Sequence, residues 1–348
     1  MPFYHKQGKI PPKRHTAFKK EDGSIYYEEL VSREGFSGMY SNLYHLQRPT
    51  KISKVGELIK QELIKAESKH RARHITTANL DSSGDALSAR MPLFFNPDIT
   101  ISVATITENM EYCYRNGTAD EVLYIQSGEG KLISNFGTLQ IKPGDYMVIP
   151  RGVIWQMSPS ETVRILVIES AGPVETPNRY RNRFGQLLEH SPFCERDIQV
   201  PVLQDPITNN DECLVKVKTQ GGIQEYTYAH HPCDMVGWDG YYFPWSMSIH
   251  DFEPIVGSIH QPPPVHQTFQ ANGFVICSFV PRLFDFHPDS IPAPYPHSNV
   301  DSDEIIYYSK GDFMSRQGIQ AVCLILHPRG FPHGPQRGKC DCRPRLQI

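Results

Sequence analysis

No apolar run in this chain approaches the ~20 residues that a membrane-spanning helix needs, and the first thirty residues lack the apolar core and small-residue cleavage site of a secretory leader. Both absences lead to the expectation of a soluble, cytoplasmic protein with no membrane partner. A positive charge excess is missing too: the formal net charge is −3, so no global field recruits nucleic acid. The basic N-terminal residues Lys6, Lys9, Lys13, Arg14, Lys19 and Lys20 are interrupted by proline and aromatics and read as a solvated arm. The 8 cysteines, at 113, 194, 213, 233, 277, 323, 340 and 342, contain no CxxC pair, which in so long a chain favours reduced thiols over a disulfide framework. Cys340 and Cys342, two thiols without further partners, make a weak metal site.

What is abundant points to β-structure. With 29 prolines and 25 glycines in 348 residues, many short elements are joined by turns, in a chain long enough for two domains or one duplicated architecture. Apolar residues at three- and four-residue intervals (Val55, Leu58, Ile59, Leu63, Ala66) predict an amphipathic helix over 53–68. The basic cluster 69–74 then reads as the helix's C-terminal flank. From Met91 the pattern turns to strands: 99–107, 121–126, 131–134, 146–149, 154–157 and 163–168, with a strong turn at Lys142-Pro143-Gly144-Asp145. Further strands are expected near 274–280, 304–308 and 321–326, and strands or aromatic loops over 209–220 and 237–249. Many short strands at close spacing are the mark of a sandwich or barrel.

Chemistry-bearing residues gather between Pro296 and Gly334. His297, Glu304 and His333 stand on strand-like, aromatic-rich sequence. Two imidazoles and one carboxylate are the set that holds non-haem Fe(II) and leaves positions open. An internal comparison separates these residues from scaffold. Residues 118–128 match 301–311 in type: each has Asp-Glu, a strand and a closing glycine. Pro150-Arg151-Gly152-Val153-Ile154-Trp155 likewise matches Pro328-Arg329-Gly330-Phe331-Pro332-His333. The turn signals recur, but the imidazoles do not: Tyr114 stands for His297 and Trp155 for His333, while Glu121 matches Glu304. The earlier copy therefore reads as a metal-free pocket filled by aromatics.

Glu-x6-Gly followed by Pro-x-Gly-x2-His resembles the two cupin motifs. His260-Gln261-Pro262-Pro263, Phe279-Val280-Pro281-Arg282, Pro296-His297-Ser298-Asn299 and Pro332-His333-Gly334-Pro335 resemble the homogentisate 1,2-dioxygenase family. The likeness runs from Met1-Pro2-Phe3-Tyr4-His5 to Pro335. It implies a mainly β bicupin with two jelly-roll-like barrel or sandwich halves, to which the sequence adds the short N-terminal helix. The halves are residues 1–245, with a degenerate metal-free cupin at about 95–170, and residues 246–348, an iron-binding cupin expected to be shortened at its end.

The resemblance further implies Fe(II) held by His297, Glu304 and His333, His260 as catalytic acid/base, and His327 and Phe313 at the substrate. The implied reaction takes homogentisate and O2 to maleylacetoacetate, in tyrosine and phenylalanine catabolism, in a homo-oligomer (trimer or hexamer). Phe313 departs from the family, whose longer members carry tyrosine there. That difference keeps another hydroquinone or hydroxybenzoate such as gentisate, and a non-catalytic metal- or ligand-binding bicupin, as alternatives. Trp245 is a candidate wall of the site or a core aromatic.

Overall fold

The structure is a computed structural model and describes residues 3–66, 69–291, 295–310, 316 and 318–336. Contacts divide the chain into two units: Met1–Leu63, Ser82–Glu253 and Gln267–Ser278 form the first, and Ile64–Asp81, Pro254–His266 and Phe279–Ile348 the second. The division at 245/246 read from the sequence stays a proposal about the repeat.

In the first unit an eight-stranded sheet runs in the order Ile198–Gln199, Trp245–Ser248, Asp145–Ile149, Asp120–Ser127, Val163–Ser170, Ile99–Ile106 and Ser83–Gly84, with Met91–Phe95 also paired to Ile99–Ile106. A seven-stranded sheet follows the order Gly137–Ile141, Gly130–Ser134, Ile154–Pro159, Cys113–Asn116, Cys213–Thr219, Gly222–Tyr228 and Ile52–Lys60. Side chains of the two sheets meet: Tyr114 and Asn116 of the second reach Glu121 of the first. This is the sandwich of a cupin. Burial explains the elements locally. Gly130–Ser134 and Gly137–Ile141 alternate buried and more exposed residues, as strands with one covered face do. Asp145–Ile149 is buried throughout and lies inside its sheet between two neighbours.

The expected helix over 53–68 is corrected. Ile52–Lys60 is a strand, antiparallel to Gly222–Tyr228, and the described residues contain no α-helix. The reason is physical: Val55, Leu58 and Ile59 are exposed, so no buried stripe rewards a helical turn. The sheet edge offers backbone partners instead, and β-branched Ile52, Val55 and Ile59 favour them. Register shifts opposite Gln224–Tyr226 and Thr227–Tyr228 break strict alternation, which let the spacing imitate a helix. The basic cluster consequently caps no helix, and Arg73–Thr76 is a strand of the second unit.

The second unit contains a three-stranded sheet, Glu304–Tyr308 beside Cys323–His327 beside Arg73–Thr76. Tyr308, Cys323 and Ile325 form its buried cluster. Among the described residues no helix is long and apolar enough to cross a membrane.

Candidate metal centre

His297 and His333 face each other through an antiparallel bridge in which each backbone N–H donates to the other's carbonyl at 2.9 Å. That approach needs Gly334 beside Pro296, where an added Cβ would lie 2.8 Å from the proline Cα. Glu304 enters from its strand directly opposite His327. The ligand atoms of His297, Glu304 and His333 all lie within 4.8 Å of one another.

Hydrogen bonds set the state of each ring. His297 Nδ1 donates to the Tyr295 carbonyl at 2.9 Å, and His333 Nδ1 to the Phe331 carbonyl at 3.1 Å. In the neutral rings both Nε2 atoms therefore keep a lone pair. His333 Nε2 is buried and makes no hydrogen bond, although Glu304 Oε2 is 3.0 Å away. Two acceptor atoms at that distance lack something positive between them. A divalent cation fits between two imidazoles and a carboxylate. Burial favours a neutral Glu304 carboxyl, but the His327 N–H and the neighbouring His333, His327 and His297 outweigh it and hold its pKa below the usual range.

His327 is buried, and both its nitrogens are engaged. Nδ1 donates to Glu304 Oε2 at 2.7 Å, and Nε2 accepts from Arg316 Nη2 at 3.1 Å. Its ring stacks on His333 at 4.3 Å between centroids. The geometry makes His327 an orienter of Glu304. Arg316 was not foreseen, because a lone arginine between glycines carries no pattern that marks it.

His260 lies one ring further out. It meets Tyr295 edge-on at 5.4 Å, and Tyr295 meets His297 at 6.3 Å. Its Nδ1 is 3.4 Å from Arg282 Nη2 and 3.9 Å from Asp285 Oδ2. Burial lowers its pKa, as does Arg282, against the opposing pull of Asp285. Phe313, Cys340 and Cys342 lie outside the described residues. Trp245 is a fully buried core aromatic of the first unit, packed on Phe269.

The matching positions of the first unit hold a different cation. Tyr114 pairs across strands with Trp155, as His297 does with His333. Arg90 lies 5.4 Å from the Tyr114 ring and 5.9 Å from the Trp155 ring, with Nη1 2.5 Å from Glu121 Oε1. Glu169 is 3.6 Å from the same Nη1 and binds Lys218 Nζ at 2.7 Å, so two cations balance two carboxylates.

The family profile for the N-terminal part of homogentisate 1,2-dioxygenase matches residues 86–249, a segment without His297, Glu304 or His333. A Saccharolobus solfataricus protein named as a putative dioxygenase is 44% identical over 97% of this chain and 87% of its own length. Homogentisate 1,2-dioxygenases of Bradyrhizobium diazoefficiens and Nitrobacter hamburgensis are 27% and 28% identical over 68% of this chain. The chain spans about half the length of these two, 54% of each. A solved cupin-2 domain protein of Shewanella frigidimarina is 18% identical, with a TM-score of 0.22 over 23% of this chain and 78% of that one. Near-complete coverage by a relative at 44% identity, with the profile match and the paired cupin motifs, establishes that the chain belongs to the homogentisate 1,2-dioxygenase family.

Proposed function

We propose that the protein is a non-haem Fe(II) dioxygenase that opens the ring of homogentisate with O2 to give maleylacetoacetate. The observation that carries this reading is the buried, unbonded His333 Nε2 facing Glu304 Oε2 beside His297, with both histidines fixed through Nδ1. His297, Glu304 and His333 would hold the ion and, as three protein ligands, would leave coordination positions open for substrate. When bound, Fe(II) supplies Lewis acidity toward the phenol and electrons for O2.

The chain's own residues do the rest. His327 keeps Glu304 turned toward the histidines and is itself held by Arg316. The acetate arm of homogentisate calls for a cation, and Arg316 brings a guanidinium to this edge of the site. His260, kept neutral by burial, is suited to accept a proton. Arg282 Nη2 can only donate to its Nδ1, so taking the hydroxyl proton at Nε2 and returning it during cleavage requires the Nδ1–H tautomer, with Nδ1 turned from Arg282 to Asp285 3.9 Å away.

Anaerobic loading with Fe(II), followed by O2 uptake and product absorbance with homogentisate and gentisate side by side, tests the reading. Uptake with homogentisate and formation of the ring-opened product are expected. Uptake with gentisate alone would transfer the assignment to that class, and metal binding without O2 consumption would remove the enzyme.

A further inference from the structure

A second donor group assembles in the first unit from side chains that neither the metal centre nor the filled pocket uses. Cys113 opens the strand Cys113–Asn116, and Cys213 opens its parallel neighbour Cys213–Thr219, in which Val215 stands opposite Cys113. Residues two apart share a sheet face, so the thiols are diagonal neighbours, with Sγ atoms 3.8 Å apart. His231, in the loop after Gly222–Tyr228, brings Nε2 to 3.9 Å from Cys113 Sγ. These three donor atoms all lie within 4.8 Å of one another.

We propose that Cys113, Cys213 and His231 form a binding site for a soft divalent cation of the zinc class. Two sulfurs bound at about 2.3 Å in a tetrahedron stand about 3.8 Å apart, which is the separation between these thiols. Thiolates and an imidazole select such an ion over magnesium or calcium. Cys113 is buried among Ile154, Val215 and Tyr228, while Cys213 and His231 are partly exposed and leave the ion a route from solvent. Binding releases the two thiol protons, so two thiolates and a dication add no net charge to this apolar cluster.

The imidazole stays neutral. The Cys233 N–H donates to His231 Nδ1 at 3.1 Å, which puts the ring proton on Nε2, toward Cys113. Ion binding moves that proton to Nδ1 and gives up the Cys233 bond, a small loss beside two metal–thiolate bonds. The site would tie two strands of the seven-stranded sheet to the loop that leads into Met235–Gly240.

Cobalt(II) added to the reduced, full-length protein is the probe, because thiolate-to-cobalt charge transfer gives an intense near-ultraviolet band. A histidine–carboxylate centre cannot produce that band. The band is expected to account for one equivalent per chain, to be displaced by zinc, retained in the H297A/H333A double variant and lost in C213S. Cobalt affinity should fall at least about tenfold in H231Q. No band in the reduced protein, a band surviving C213S, or a band vanishing in H297A/H333A would overturn the proposal. Should C213S fail to fold, H231Q decides alone: unchanged cobalt affinity and visible spectrum would count against the site.

Discussion

The two cupin pockets of this chain keep one scaffold and solve one electrostatic problem in opposite ways. In each, the glycine of the Pro-x-Gly corner is left-handed, with φ of 85° at Gly152 and 73° at Gly330. Gly152 N–H donates to the Asn116 carbonyl at 2.8 Å, and Gly330 N–H to the Asn299 carbonyl at 2.6 Å. Arg151 N–H reaches Asp120, and Arg329 N–H reaches Asp303, at equivalent places. The strand glutamate is kept as well, as Glu121 or Glu304. What differs is the positive charge it faces. The first pocket builds one in, Arg90 between two aromatic rings; the second presents two imidazoles and an unbonded nitrogen. In the first pocket the Arg90 guanidinium already stands on the carboxylate, 2.5 Å from Glu121 Oε1, where the second pocket calls for an added cation.

The comparison breaks most sharply if the second pocket proves dispensable. H333A should reduce Fe(II)-dependent O2 uptake to background while denaturant unfolding shifts by less than about 1 kcal/mol, since no buried ion pair is lost. Retained uptake would show that the ion sits elsewhere. R90M should do the reverse. It strands the fully buried Glu121 carboxylate and should cost about 3–5 kcal/mol in urea unfolding, with Fe(II) affinity unchanged. A neutral R90M would mean that the filled pocket is not held together by its charge.

A buried histidine of the first unit sharpens the same contrast through pH. His45 Nδ1 lies 2.7 Å from Asp234 and its Nε2 3.1 Å from Glu29, with His230 close by. Burial alone would lower its pKa, yet the bonds to Asp234 and Glu29 raise it to about 9. The folded value exceeds the unfolded one, so the stabilisation is complete below about 6.5 and is lost as pH rises through about 9, on the order of 3 kcal/mol. Thermal unfolding from pH 6 to 10 in wild type and H45Q would measure it, and parallel curves would remove the assignment.

Smaller effects follow at the second pocket. H327A should weaken Fe(II) binding about 10–100-fold by releasing Glu304, without abolishing turnover. An unchanged affinity would return His327 to a role facing the substrate. Smallest and most symmetric, Gly152→Ala and Gly330→Ala should each cost about 1–2 kcal/mol. An added Cβ meets nothing within 4 Å at either corner, so only backbone strain acts. Very unequal losses would argue that the corners are not equivalent.

Several of these features were legible in the residues alone. The strand at Glu304–Tyr308 and the meander from Ile99 to Ser170 follow from alternation and turn signals, and the repeat picked out the pair Tyr114–Trp155 beside His297–His333. Arg90 was not legible, since it lies 31 residues from Glu121 and belongs to neither motif. Nor was the thiol group, because Cys113 and Cys213 are 100 residues apart and meet only through a parallel strand pairing.

By itself, then, the order of residues determined the periodicities, the turns and the chemical types at the duplicated positions, because these depend on neighbours a few bonds away. Tertiary structure decided which strand edge captured Ile52–Lys60, which nitrogen of each imidazole stays bare, and which cation faces Glu121. Those outcomes depend on groups brought together from distant parts of the chain, where burial and hydrogen-bond geometry set the energies.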